Sequence, residues 1–179
     1  MEMDARDLSM FSDGSLALVV FSFNGIDSVN YDGRCSILSE FSRVLRLGGL
    51  ALFSTHNLRG PSYRENLSVF LRAPRPSLSP IKFGIDAARV VYSLPIAAFN
   101  YLRYAKLNEE FDGYAVRVCA AHKFGTILTY TDIATQRRQL ADVGLRKEAV
   151  FGNTRGNLLN DDDPEIVKEY WFHFVARKT

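Results

Sequence analysis

The chain of 179 residues is 47% apolar and 23% charged, with 12 glycines and 6 prolines, which suits one folded domain with a sizeable core and excludes disordered, collagen-like and low-complexity classes. Twenty-two basic against 20 acidic side chains leave +2, too little for a protein whose main work is neutralising nucleic-acid phosphates or coating an acidic membrane. Two cysteines, Cys35 and Cys119, show neither metal-ligand spacing nor disulfide density, and the acidic residues 1–9 lack the basic start and apolar run of a signal peptide, so a cytoplasmic location is expected.

Residues 16–23, LALVVFSF, are almost continuously apolar and lie between turn signals at 12–15 and 24–25. Such a run predicts a strand covered on both faces, as in a parallel sheet. Ile37, Leu38, Phe41, Val44 and Leu45 then recur at helical spacing, with Arg34, Glu40, Arg43 and Arg46 on the other side and Asp32 placed to cap. This predicts an amphipathic helix of about three turns, ending at Gly48-Gly49, where a glycine can take the left-handed conformation. Residues 50–55, LALFST, read as a second buried strand. Strand, helix and strand form one unit with a right-handed crossover.

Residues 58–113 break that rhythm. A proline-rich loop at 73–80 leads to Ser79-Pro80, a cap and first-turn pair for a helix reaching about Tyr104, with a kink expected at Pro95. The apolar stretch 90–102 is too short to span a bilayer and is flanked by Lys82, Asp86, Arg89, Arg103 and Lys106. The net charge is +6 over residues 59–106, against −3 before it and −1 after it. A helical lid or partner-binding insertion fits this middle piece. Beyond it, residues 114–119 and 125–130 read as short strands, and Thr131-Asp132 opens a helix that Gly144 closes. Residues 145–151 and 170–176 complete the strands, separated by a polar loop at 153–164. The expected division is 1–57, 58–113 and 114–179, the first and last belonging to one α/β domain.

Three segments carry a family resemblance. They are DARDL (4–8) with FSDGS (11–15), VVFSFNGID (19–27), and the stretch from Glu40 through RVLRLGG (43–49) to FSTHN (53–57). Together they resemble the C-terminal part of class I S-adenosylmethionine-dependent methyltransferases of type 11 or 12. The RVLRxGG helix end before a buried strand is the most specific mark. The likeness is close over 4–57 and holds in pattern only over 126–179. It implies an incomplete Rossmann-like sheet, holding strands 4, 5, 7 and 6 of the family order 3-2-1-4-5-7-6, with a helical insertion.

The same resemblance implies site roles. Asp4 and Ala5 correspond to the loop that meets the adenine of S-adenosylmethionine. Phe21, Ser22 and Asn24 follow the family's fourth strand and line the cofactor, at the carboxyl end of a strand where open α/β sheets bind ligands. His56 and Asn57 end the next strand and face a small-molecule methyl acceptor. Methyl transfer needs alignment and, for a poor nucleophile, removal of a proton. His56 is the candidate base, with loop ordering as its plainer alternative, since a histidine serves either role. His122 and Tyr130 are secondary acceptor-site candidates, more often found as core or surface residues. His173 reads as structural, the cysteines as inert thiols, and Asp161, Asp162 and Asp163 as a solvated loop, with no metal site.

The glycine-rich turn of the family is absent from these 179 residues. Residues 16–23 therefore become an exposed sheet edge, open to pairing in a homo- or hetero-oligomer. Three readings compete: a shortened methyltransferase that is weak or inactive alone, an interaction module using the strand edge or the basic insertion, and a membrane-surface protein using that insertion. No nucleic-acid partner and no integral membrane segment are expected.

Overall fold

A computed structural model describes residues 3–71 and 79–179. The proline-rich loop predicted at 73–80 falls almost wholly outside the described residues. Strand β1 (Leu16–Phe21) leads through a 3-10 turn (Gly25–Ser28) to helix α1 (Tyr31–Val44) and strand β2 (Leu45–Asn57). A short helix α2 (Pro61–Arg64) and a 3-10 turn (Leu67–Leu71) precede the long helix α3 (Pro80–Tyr104). Strands β3 (Glu109–Phe111), β4 (Tyr114–Val118) and β5 (Ile127–Thr131) follow, then α4 (Ile133–Asp142), β6 (Leu145–Gly152) and β7 (Trp171–Lys178).

These strands form one seven-stranded sheet. β1 and β2 are parallel, β7 runs antiparallel on the far side of β2, and β6 lies outside β7. β1-β2-β7-β6 is thus the 4-5-7-6 portion that the resemblance implies. β1 pairs with no strand but β2 among the described residues, so its outer edge is open, as expected. β5 joins β2 in parallel only at His56 and Asn57 and carries the β4–β3 meander. β3, inside the predicted helical insertion, was not visible as a strand in three residues of sequence.

α1 is capped by Asn30, whose side-chain oxygen accepts from Gly33 N at 3.0 Å, and not by Asp32. It ends at Val44, four residues before the predicted stop. β2 begins at once, and the register with β1 jumps between Leu16↔Leu45 and Leu18↔Leu50. The extra residues form a bulge in which Gly48 is left-handed at φ 76°. A side chain on Gly49 would come within 2.9 Å of the Arg46 carbonyl and 3.2 Å of the Ala17 carbonyl. The glycine pair therefore shapes the strand crossing, not a helix end.

The main core occupies one face of the sheet, where Ile37, Leu38 and Phe41 of α1 and Leu140 of α4 meet Phe53, Phe172 and Phe174. The opposite face of β1 is open: Leu18 is 50% and Val20 61% exposed. The expectation of a strand covered on both faces is corrected accordingly, for one face lacks a packing partner among the described elements. α3 starts at Pro80, where a proline suits the first turn, and its helical run is continuous across Pro95. Its inner side packs as a second cluster with Val118 and Phe124. α4 is capped by Asp132, which accepts from Thr135 N at 2.7 Å, as the sequence indicates.

Candidate functional site

β1 ends its pairing with β2 at Phe53, and β5 begins pairing at His56. The strand edge between them is filled by Asp27 from the turn after β1. Its Oδ2 accepts from the backbone N of His56 at 2.6 Å and lies 2.7 Å from Nδ1 of the same residue. Its Oδ1 accepts from Thr55 Oγ1 at 2.6 Å and from the Arg34 guanidinium. Arg34 in turn donates to Gln136 Oε1 at 2.6 Å and Thr55 Oγ1 at 3.1 Å. Asp27, Arg34, Thr55 and Gln136 are all buried. A buried carboxylate needs such a shell, because isolated burial of its charge is costly.

This network fixes the imidazole. An Asp27 carboxylate only accepts, so Nδ1 carries the proton it donates and Nε2 is turned away from Asp27 toward Asn24. Nε2 stands 3.5 Å from Asn24 Nδ2, and the ring lies 5.3 Å from Tyr130 and 6.4 Å from Trp171. The His56 side chain is 14% exposed. Asn24 Oδ1 and Tyr130 OH, buried polar atoms of two residues next to the ring, have no hydrogen-bond partner among the described residues. The Cys119 thiol lies by Tyr130 without meeting hydrogen-bond geometry, and burial first, then this thiol, pushes the Tyr130 hydroxyl pKa well above its ordinary value. Tyr63 packs edge-on at 5.6 Å behind Tyr130. The arrangement is an imidazole held by a carboxylate within an aromatic surround, at adjoining carboxyl ends of parallel strands.

The structure brings Asp4, Ala5 and Phe21 together in a second place. They line a cleft of about 470 Å³ with Gly25, Val29 and Ile37. Arg6 donates to Asp4 from its backbone at 2.9 Å and from Nη2 at 2.5 Å. The Arg6 guanidinium first, then its backbone N–H, holds the Asp4 carboxyl down to about 2. The loop itself is pinned by Glu40, which accepts from Leu8 N at 2.7 Å, and by Arg43, which donates to the carbonyls of Leu8 and Phe11.

The remaining candidates scatter. Ser22 is exposed, and its carbonyl accepts from Gly25 N across a turn with Phe23 and Asn24 both at positive φ. Asn24 sits beside His56 and does not line the cleft. Asn57 is fully buried, its amide donating to the carbonyls of Ile166 and Glu169 and accepting from Arg59 N. His122 is exposed in the β4–β5 connection, with no hydrogen bond or ring contact to His56. His173 is exposed and accepts from Trp171 Nε1 at 3.3 Å. Asp161 is engaged by Arg137 and Lys147.

Asp27, Arg34, Thr55 and Gln136 were not singled out by their sequence. Arg34 left a signal: at four and seven residues before Leu38 and Phe41 it belongs to the apolar face of α1, not the polar one to which it was assigned. An arginine there demands a buried carboxylate.

No sequence-family model matches the chain, and no curated protein matches it. Solved structures do. An S-adenosylmethionine-dependent methyltransferase from Mesorhizobium loti is 14% identical, with a TM-score of 0.52, over 98% of this chain and 67% of that one. One from Methanosarcina mazei is 16% identical at a TM-score of 0.50, over 98% of this chain and 65% of that one. A possible histamine N-methyltransferase from Thermotoga maritima is 9% identical at 0.50, over 98% and 61%. The chain spans 61 to 67% of the length of these three structures and 48% of another. It has the class I methyltransferase fold over that portion, without the glycine-rich turn.

Proposed function

We propose that this chain carries the acceptor side of a methyl-transfer site, in which His56 removes a proton from a small-molecule acceptor. The observation that supports it most is the hydrogen bond between Asp27 and His56 Nδ1, which orients the ring and leaves Nε2 as the acceptor, held among the described residues only by the long 3.5 Å contact from Asn24 Nδ2. Asp27 acts as the positioning residue, while Arg34 and Thr55 hold Asp27. As Nε2 takes the proton, the Asp27 carboxylate stabilises the charge that develops on the ring. Asn24 and Tyr130, the two neighbours of the ring that carry unpaired polar atoms, orient the acceptor. Asn57 has its amide fully engaged within the fold and belongs to the scaffold.

The cleft fits the adenosine end of S-adenosylmethionine in kind. Ala5, Phe21, Val29 and Ile37 offer an apolar slot for a flat ring, and ionised Asp4 offers acceptor oxygens that Arg6 shares. When bound, this cofactor supplies a methyl group already activated on a sulfonium. Without a glycine-rich turn in the chain to approach the cofactor with backbone N–H groups, binding by this chain alone should be weak. Photocrosslinking with labelled S-adenosylmethionine is the test. Label is expected in peptides bearing residues 3–6 and 21–37 and should be lost when Ala5→Trp fills the cleft. Label spread evenly along the chain, or unchanged in Ala5→Trp, would overturn the assignment.

A second reading, an interaction module, is favoured by the open β1 edge with Leu18 and Val20 half exposed or more. Edge strands of this kind template pairing with another chain. Sedimentation velocity is expected to show concentration-dependent association that Val20→Lys abolishes. A monomer at every concentration would remove self-pairing through β1.

A further inference from the structure

Helix α3 has two faces. Ser93 and Ala97 are buried, and Tyr101 and Tyr104 pack with Val118 and Phe124. The outward face is also apolar: Ile81 is 75%, Ile85 55%, Tyr92 66%, Phe99 62% and Leu102 80% exposed. With Ala88 and Pro95, also exposed, these positions alternate in steps of four and three along the helix. At about 1.5 Å per residue the row runs roughly 30 Å. Single exposed apolar side chains are ordinary, but a continuous row marks a contact surface.

Charge indicates what meets it. Residues 59–106 hold eight basic and two acidic side chains, while the rest of the chain is acidic on balance. Arg103 and Lys106 are exposed and form no ion pair among the described residues, and Arg103 lies over the Tyr104 ring at 5.3 Å. A second copy would bring Arg103 and Lys106 against their own counterparts, whereas an anionic occupant would complement them. A partner helix requires an uninterrupted seam, yet Pro95 stands in the middle of the row. Val91, at 73%, and Leu71, at 65%, lie off the row and are exposed as well. A planar surface accepts such a broad strip without register. No described helix is long and apolar enough to cross a membrane.

We propose that α3 lies in the plane of an anionic lipid surface, with Phe99, Leu102 and Ile85 entering the acyl boundary and Arg103 and Lys106 meeting the headgroups. Apolar insertion and basic attraction together supply the two signals that stable surface binding needs. The small net charge of the whole chain conceals this, because the basic residues are gathered in one segment.

Flotation of the full chain with vesicles tests it. Binding is expected with equimolar phosphatidylcholine and phosphatidylglycerol, reversed by added salt, and absent with phosphatidylcholine alone. Arg103→Gln and Lys106→Gln should each weaken it roughly fivefold, and Phe99→Glu with Leu102→Glu should abolish it while circular dichroism and the melting midpoint stay unchanged. No flotation with anionic vesicles, equal flotation with neutral ones, or full binding by the glutamate variant would overturn the proposal. So would self-association or binding of an acidic peptide that the glutamate variant loses while lipid binding is absent.

Discussion

Arg34→Met is expected to destabilise the fold by about 3–5 kcal/mol, the usual cost of removing one partner of a buried ion pair. Arg34 and Asp27 have fully buried side chains. Without the guanidinium, among the described residues Oδ1 of Asp27 keeps Thr55 Oγ1 alone and Gln136 Oε1 loses its donor. The loss should therefore exceed what truncation of an exposed arginine would give. Urea unfolding checks it, and the double variant Asp27→Asn with Arg34→Met should recover part of the loss, because the two positions share one network. A cost below about 1 kcal/mol for Arg34→Met would show that the pair contributes orientation without stability.

His56→Gln is the second, measured in whatever assembly transfers methyl groups from S-adenosylmethionine. Turnover should fall by about 10²–10⁴-fold, the range for loss of a positioned general base, with cofactor affinity unchanged. Glutamine preserves a polar side chain of similar reach but cannot take the proton. Asp27→Asn should act in the same direction by a different route, since an asparagine amide can donate to Nδ1 and turn the ring's proton to Nε2. Nitrogen-15 spectroscopy of the imidazole reads that change of tautomer directly. Unaltered turnover in His56→Gln would leave the histidine a loop-ordering role alone.

Much of the α/β core was legible because its elements are long and strongly patterned. Residues 16–21 and 31–44 announced a strand and a helix through apolar spacing, 133–142 a helix through its Asp132 start and Gly144 stop, and the RVLRxGG mark lies where α1 passes into β2. Boundaries were less legible. Asn30 was passed over as a cap in favour of Asp32, and the glycine pair was assigned to a helix end when it serves a bulge against Ala17. In each case several residues were chemically suited to the role: the backbone at Asn30, extended just before α1, selects the cap, and the register jump of β1 against β2 places the glycine pair. β3 was missed because three residues carry no periodicity.

For the site, sequence alone determined that the basic charge is concentrated in residues 59–106 and that a buried strand runs up to His56, while the family resemblance put Asp4 and Ala5 in a loop and Phe21 at a strand's carboxyl end. Such readings draw on residue type, local spacing and motif alone. Tertiary structure alone decided that Asp27 reaches the His56 ring, that Arg34 turns inward to hold Asp27, that Asn24 parts from the cleft to join His56, and that Asn57 is tied into the loop at 166–169. Those contacts join residues up to 112 positions apart, and their partners are chosen by which backbone donors a strand edge leaves open and by the need to neutralise a charge once it is buried. Neither condition exists until the sheet has closed around it.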